Sequence, residues 1–143
     1  IKTPVQVIEI KKTLPKQDFE TLWGFGIMST TVETIITTGA IFVRGWVLGK
    51  KAQAKTVKVL YQGETLLETT VDLRRPIIAQ QYPDILRAGQ SGFEFSLAVT
   101  GITTEIELNL EACLKDETIV SLCNFVLKPQ TIESKDTQSS ILD

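Results

Sequence analysis

The side chains with chemical potential in this sequence are a set of carboxylates, two thiols, one serine beside a glycine and a few large aromatics. Glu105, Glu107 and Glu111 recur at two- and four-residue spacing in TEIELNLEACL. Two carboxylates in one cleft, held at different pKa values, would be equipment for general acid and base catalysis. On a strand, however, this spacing puts all three on one face and Ile106, Leu108, Leu110 and Ala112 on the other, which makes the acids a solvent face. An enzymatic site would have to bring Asp72, Asp84 or Glu94 together instead, marked by a raised carboxylate pKa. Ser91 precedes Gly92 but lacks the Gly-x-Ser-x-Gly frame, and the chain contains no histidine to serve as its base. The same absence removes the commonest metal ligand, and no Asp-rich loop offers oxygens to calcium. We therefore expect a chain that is not an enzyme and takes no cofactor or metal.

Cys113 and Cys123 lie on consecutive expected strands. A two-residue turn at Asp116-Glu117 sets Val120 opposite Cys113, which leaves the two sulfurs too far apart to bridge. They read as buried thiols acting as small apolar residues, in keeping with a reducing compartment.

Sugar recognition needs an exposed aromatic face with polar groups beside it, and Trp23, Trp46, Tyr61 and Tyr82 are the candidates. In the stretch 41–48, Phe42, Arg44, Trp46 and Leu48 share one face while Ile41, Val43, Gly45 and Val47 share the other. Both faces look apolar, so Trp46 is assigned to the core, and Trp23, between Leu22 and Gly24, is assigned likewise. Tyr82 is the best aromatic candidate, its ring packed and its hydroxyl in water. A ligand site here would use Arg75, Tyr82 and Trp23.

These residues must be positioned by strands. A chain of 143 residues, 43% hydrophobic and 22% charged with net charge −2, has the make-up of one globular domain. It offers no basic field to a nucleic acid. Its apolar runs stop far short of the about 20 residues that span a bilayer, so no membrane insertion is expected. Strand signals fall at 31–37, 41–48, 54–62, 65–73, 93–100, 104–114 and 118–127, with a hairpin turning at Gln62-Gly63. No segment is long enough for the helical crossover of a parallel sheet. The expectation is an all-β, antiparallel, immunoglobulin-like β-sandwich of about seven strands. Residues 1–18 read as a linker or edge strand, 19–128 as the sandwich and 129–143 as a polar tail or linker. Within 19–28 the aromatics are expected to plug one end of the core. The start at Ile1, without an initiator Met or a basic-then-apolar leader, reads as a cut from a longer chain, so localisation is left open.

The stretch RRPIIAQQYPDILRAGQSGFEF, residues 74–95, breaks the strand pattern. Pro76 suits the first turn of a helix, and Pro83 disfavours helix at Tyr82, so a single helical turn is expected between them. Ile77, Ile78 and Tyr82 would cap the sandwich while Arg74, Arg75 and Asp84 tie the segment down. It reads as a structural crossover between sheets, with ligand binding as the alternative.

RGWVLGK at 44–50, VKVLYQGETLLET at 57–69, RPIIAQQYP at 75–83 and SGFEFSL at 91–97 together resemble a bacterial, often cyanobacterial, immunoglobulin-like sandwich module. The resemblance spans about residues 41–127, and its most specific part is the order Arg-Pro, Tyr-Pro, Ser-Gly-Phe. It implies an accessory domain found beside glycosyltransferase, sulfotransferase or methyltransferase domains, within a parent protein that modifies surface polysaccharide. Such modules carry no known catalytic residues. The family often has Asp after Arg-Pro, where this chain has Ile77, so a role resting on that acid does not carry over. The expected partners are neighbouring domains of the parent protein, with carbohydrate as the alternative; the oligomeric state is left open.

Overall fold

The computed structural model of the chain describes residues 3–13 and 20–130. Among these, nine strands form: β1 (Val5–Lys12), β2 (Leu22–Ser29), β3 (Ile35–Ile36), β4 (Ala40–Gly49), β5 (Ala54–Tyr61), β6 (Glu64–Thr70), β7 (Gly92–Ala98), β8 (Ile106–Leu114) and β9 (Ile119–Pro129). One helix, α1 (Pro76–Gln81), and a 3-10 turn at Ala88–Gln90 lie between β6 and β7. A six-stranded sheet runs β3-β1-β9-β8-β5-β6 and a three-stranded sheet runs β2-β4-β7, with every pairing antiparallel. This is the expected all-β antiparallel sandwich with one short helical turn in its crossover.

Period-two alternation builds the core. Val57, Val59, Leu108 and Leu110 from the large sheet meet Ile41, Val43, Val47, Phe93 and Phe95 from the small one, all buried. Phe93 and Phe95 stack with ring centroids 6.4 Å apart. Sheets that bury one face each drive the fold by removing apolar surface from water, at about 25 cal/mol per Å². The opposite face of the large sheet is wet, as the glutamate spacing requires. There Lys11 Nζ donates to Glu107 Oε1 at 3.0 Å, and Asn124 donates to the other oxygen of the same carboxylate at 3.0 Å. The bond from Lys11, then that from Asn124, hold the Glu107 carboxyl below the ordinary carboxylate range. No helix among the described residues is long and apolar enough to cross a membrane.

Several expectations need correction. The sandwich starts at β1, not at residue 19: Val5 and Val7 are buried, and β1 pairs with β9 on one side and the two-residue β3 on the other. β1 is therefore no linker; the two-residue β3 flanks it at Val5 and Gln6, and from Glu9 to Lys12 its strand partner is β9 alone. Residues 1–2 and 14–18 of the expected linker lie outside the described residues. Pro129 is the last residue of β9; residues 131–143 of the expected tail also lie outside the described residues. The strand expected over 31–37 shrinks to Ile35–Ile36 because the chain turns at Val32–Glu33, with Glu33 left-handed at φ 76°. Nor do the residues from Leu22 to Met28 plug an end: they form β2, an edge strand of the small sheet. Phe19 lies outside the described residues.

The β8–β9 connection is one residue longer than expected. Leu114 N–H donates to Thr118 O around Lys115, Asp116 and a left-handed Glu117 at φ 72°, a three-residue loop in which the last position adopts that conformation. Cys113 accordingly pairs with Ile119, not Val120, while Cys123 lies near Leu110. Both thiols are free and buried. The β5–β6 hairpin does turn on two residues, Gln62 and Gly63, both at positive φ (52° and 83°), as the right-handed strand twist favours.

Candidate functional site

The outer face of the small sheet is where the crossover lands. On β4, Ile41, Val43, Gly45 and Val47 point into the core, which turns Phe42, Arg44 and Trp46 outward. Trp46 is thus not a residue of the main core, contrary to expectation. It is half-buried beneath the crossover, in a second cluster with Leu48, Ile78, Ala88, Tyr82 and Ile85. Its indole lies across β2, where glycines leave room: a Cβ at Gly26 would come 2.5 Å from Trp46 Nε1, and one at Gly24 2.9 Å from Cη2. Glycine in a strand interior here marks a close approach.

α1 runs from Pro76 to Gln81 and is closed by Tyr82 as its C-cap, where the two prolines predict. Its landing is fixed by Arg75, which is buried. The guanidinium donates from Nε to Gly45 O at 3.2 Å, from Nη2 to Phe93 O at 3.1 Å and from Nη1 to Arg74 O at 2.9 Å. Nη2 also lies 3.6 Å from Glu94 Oε2, which in turn accepts from Arg44 Nε at 3.2 Å. The head of Arg75 covers Gly92, where a Cβ would meet Cζ at 2.6 Å. Arg75, expected either as a ligand-binding residue or as a tie for the crossover, takes the second role here: its nitrogens add bonds to Gly45 O and Phe93 O, which face each other in the β4–β7 ladder, and to Arg74 O.

The other two site residues come together. Tyr82 sits between two indoles, its ring centroid 6.5 Å from that of Trp23 and 6.1 Å from that of Trp46, both tilted by about half a right angle (48° and 51°). Its hydroxyl donates to Trp23 O at 3.4 Å, a long bond at the solvent-exposed edge of the cluster. Trp23 is not core either, being 39% exposed. One face of its ring carries the Lys50 ammonium, 4.6 Å from the centroid.

Trp23 and Lys50 form one wall of a 360 Å³ groove whose other groups include Gln53, Asp84, Arg87 and Gln90, with apolar Leu48 and Leu86 among them. This is an aromatic flanked by hydrogen-bonding side chains of both charge signs. Sequence reading missed Lys50, Gln53, Arg87 and Gln90, none of which carries a local signal; they meet Trp23 only because the crossover folds back over β4. Ser91, once weighed as a nucleophile, is buried and donates its hydroxyl to Ala88 O at 2.7 Å. Of the three acids that an enzymatic site would have had to assemble, Asp84 lines this groove and Glu94 is held between two arginines. The carboxylates with displaced pKa values, Glu107 and Asp116, are both lowered, the latter by bonds from Thr118, and both stand on or beside the large sheet. Among the described residues no group of three or more His, Cys, Asp or Glu is placed to hold a metal ion.

No protein-family model matches the chain, and no curated protein matches it. Among solved structures, chicken MD-1 in complex with lipid IVa is similar at 16% identity and a TM-score of 0.37, over 91% of this chain and 100% of that one. The fold described above stands on the strand pairing itself.

Proposed function

We propose that this chain is a non-catalytic accessory or interaction domain of a larger, glycan-modifying transferase protein, one that positions neighbouring domains or recognises a ligand. Support for the parent protein comes from the resemblance carried by residues 41–127. Support for the non-catalytic role comes from the lack of histidine and from the task of Glu94, which neutralises Arg44 and Arg75 and is not held ready for a substrate.

A second reading, carbohydrate binding beside the crossover, gains one specific observation: the exposed Trp23 ring in a groove with Lys50, Gln53, Asp84, Arg87 and Gln90. The C–H face of a sugar ring is weakly positive and packs on the negative face of an indole, while amides and charged groups bind its hydroxyls. Lys50 occupies that face of Trp23 in the free chain. An exposed cation–π contact is worth about 0.5–1 kcal/mol, so a sugar displaces it at small cost. The test is a glycan array followed by calorimetry on the purified chain, with Trp23→Ala and Lys50→Ala beside it. Binding that is lost in Trp23→Ala and retained or strengthened in Lys50→Ala supports recognition at this groove. No binding by a chain verified as folded removes that reading and leaves the positioning of neighbouring domains.

A further inference from the structure

On the opposite flank of α1 lies a larger groove, 520 Å³, to which neither Trp23 nor Tyr82 contributes. Its apolar surface comes from Trp46, Met28 and Ile77, the last two 42% and 61% exposed. Its charge comes from Arg44, Arg74 and Arg75. One carboxylate, Glu94, answers these three guanidinium groups, and it touches only Arg44 and Arg75. Arg75 is committed to backbone carbonyls, and Arg44 gives Glu94 its Nε. The guanidinium of Arg74 is exposed and makes no ion pair or hydrogen bond with the described residues. A chain of net charge −2 thus concentrates uncompensated positive charge at one apolar groove.

We infer that this groove binds an organic anion, an oxyanion group such as a carboxylate, sulfate or phosphate carried on an apolar body. Each half of that description answers to a feature of the groove. A neutral apolar molecule would cover Ile77 and Met28 but leave the guanidinium field unanswered. A wholly polar anion would pair with Arg74 and gain nothing from the exposed apolar side chains. Guanidinium is the side chain best matched to planar, two-oxygen acceptors, so the head of such a ligand pairs with Arg74 while its body covers the apolar side chains. Pockets of this size that pair an apolar lining with a few convergent polar groups are the usual form of small-molecule sites.

The test uses two fluorescent probes of similar shape, the anion 1-anilinonaphthalene-8-sulfonate and the neutral N-phenyl-1-naphthylamine, titrated into the whole folded chain at low salt. The expected result is one-to-one binding of the sulfonate, at least tenfold tighter than the neutral probe, with a shift of the Trp46 indole N–H resonance. Arg74→Gln should weaken the sulfonate about tenfold and leave the neutral probe unchanged. Ile77→Ser should weaken both. Because Arg74 and Ile77 are exposed, these substitutions leave the fold intact, which circular dichroism verifies. Equal affinity for the two probes, or sulfonate binding indifferent to both Arg74→Gln and Ile77→Ser, overturns the inference. So does a galacturonate trisaccharide bound as tightly as the sulfonate, since that would make the apolar surface irrelevant.

Discussion

Tyr82 and Trp23, 59 residues apart in the chain, meet ring to ring at 6.5 Å, and the hydroxyl of one reaches the backbone carbonyl of the other. The contact clasps the crossover to the edge strand β2 and so builds one wall of the Trp23 groove. Removing the ring in Tyr82→Ala should cost about 2 kcal/mol, about 6 °C in Tm for a domain of this size. Tyr82→Phe keeps the packing and loses only a long hydrogen bond, so its Tm should stay within about 2 °C of the parent chain. Thermal melts of the two variants check this; equal losses would mean that the hydroxyl, not the ring, is the clasp.

Arg75→Met should be among the more damaging single changes. It keeps the stem but removes the guanidinium's bonds to Gly45 O, Phe93 O and Arg74 O and its pairing with Glu94, at about 3 kcal/mol. Urea denaturation measures it. A loss below about 1 kcal/mol would show that water replaces the guanidinium and that Arg75 is not the fastening of the crossover.

Two glycines should behave differently for different reasons. Gly26→Ala drives a methyl into the Trp46 indole and should cost about 2 kcal/mol, with a shift in tryptophan emission as the ring is displaced. Gly63→Ala meets open space, and its cost of about 1 kcal/mol comes only from the left-handed backbone at φ 83°, with emission unchanged. Matching fluorescence in the two variants would contradict the close approach of Trp46 to β2.

Burial pushes the Cys123 thiol up to about 12 from an ordinary 9.0. The folded chain keeps this proton where the unfolded chain releases it. The stabilisation is therefore complete below about pH 9 and is lost as pH rises toward 12, by about 1 kcal/mol per unit. Urea midpoints of the parent chain and Cys123→Ala, compared at pH 8, 9.5 and 10.5, should converge as pH rises. A constant gap would mean that the thiol is not shielded. The same burial predicts that 5,5′-dithiobis(2-nitrobenzoate) at pH 8 reacts with Cys123 only as fast as the chain opens.

The turn residues and the alternation of apolar with polar side chains were enough to determine most strands, the Gln62-Gly63 hairpin, the wet glutamate face and the limits of α1. Each of these depends on neighbours within a few residues: a proline fixes its own φ and restricts the residue before it, and side chains two apart share a strand face. What lay outside local reach was decided by the tertiary structure. The stretch 41–48 is apolar on both faces, so its period could not say which face the core takes; the opposing large sheet selects Ile41, Val43 and Val47 and leaves Trp46 for the crossover to cover. β1 joined the sandwich because β9 offers it a long antiparallel partner; the alternation Val5-Gln6-Val7-Ile8-Glu9-Ile10 allows a strand there but does not name that partner. Arg75 reads from sequence either as a tie for the crossover or as a ligand for something outside, and the fold takes the first by setting its guanidinium on carbonyls of two strands. Trp23, Lys50 and Arg87 form one groove, and Arg44, Arg74 and Ile77 another, only after residues 74–92 fold across the small sheet. Strand identity is a local property of the chain, whereas a surface groove is a product of long-range packing, and the sequence specifies the second only through the first.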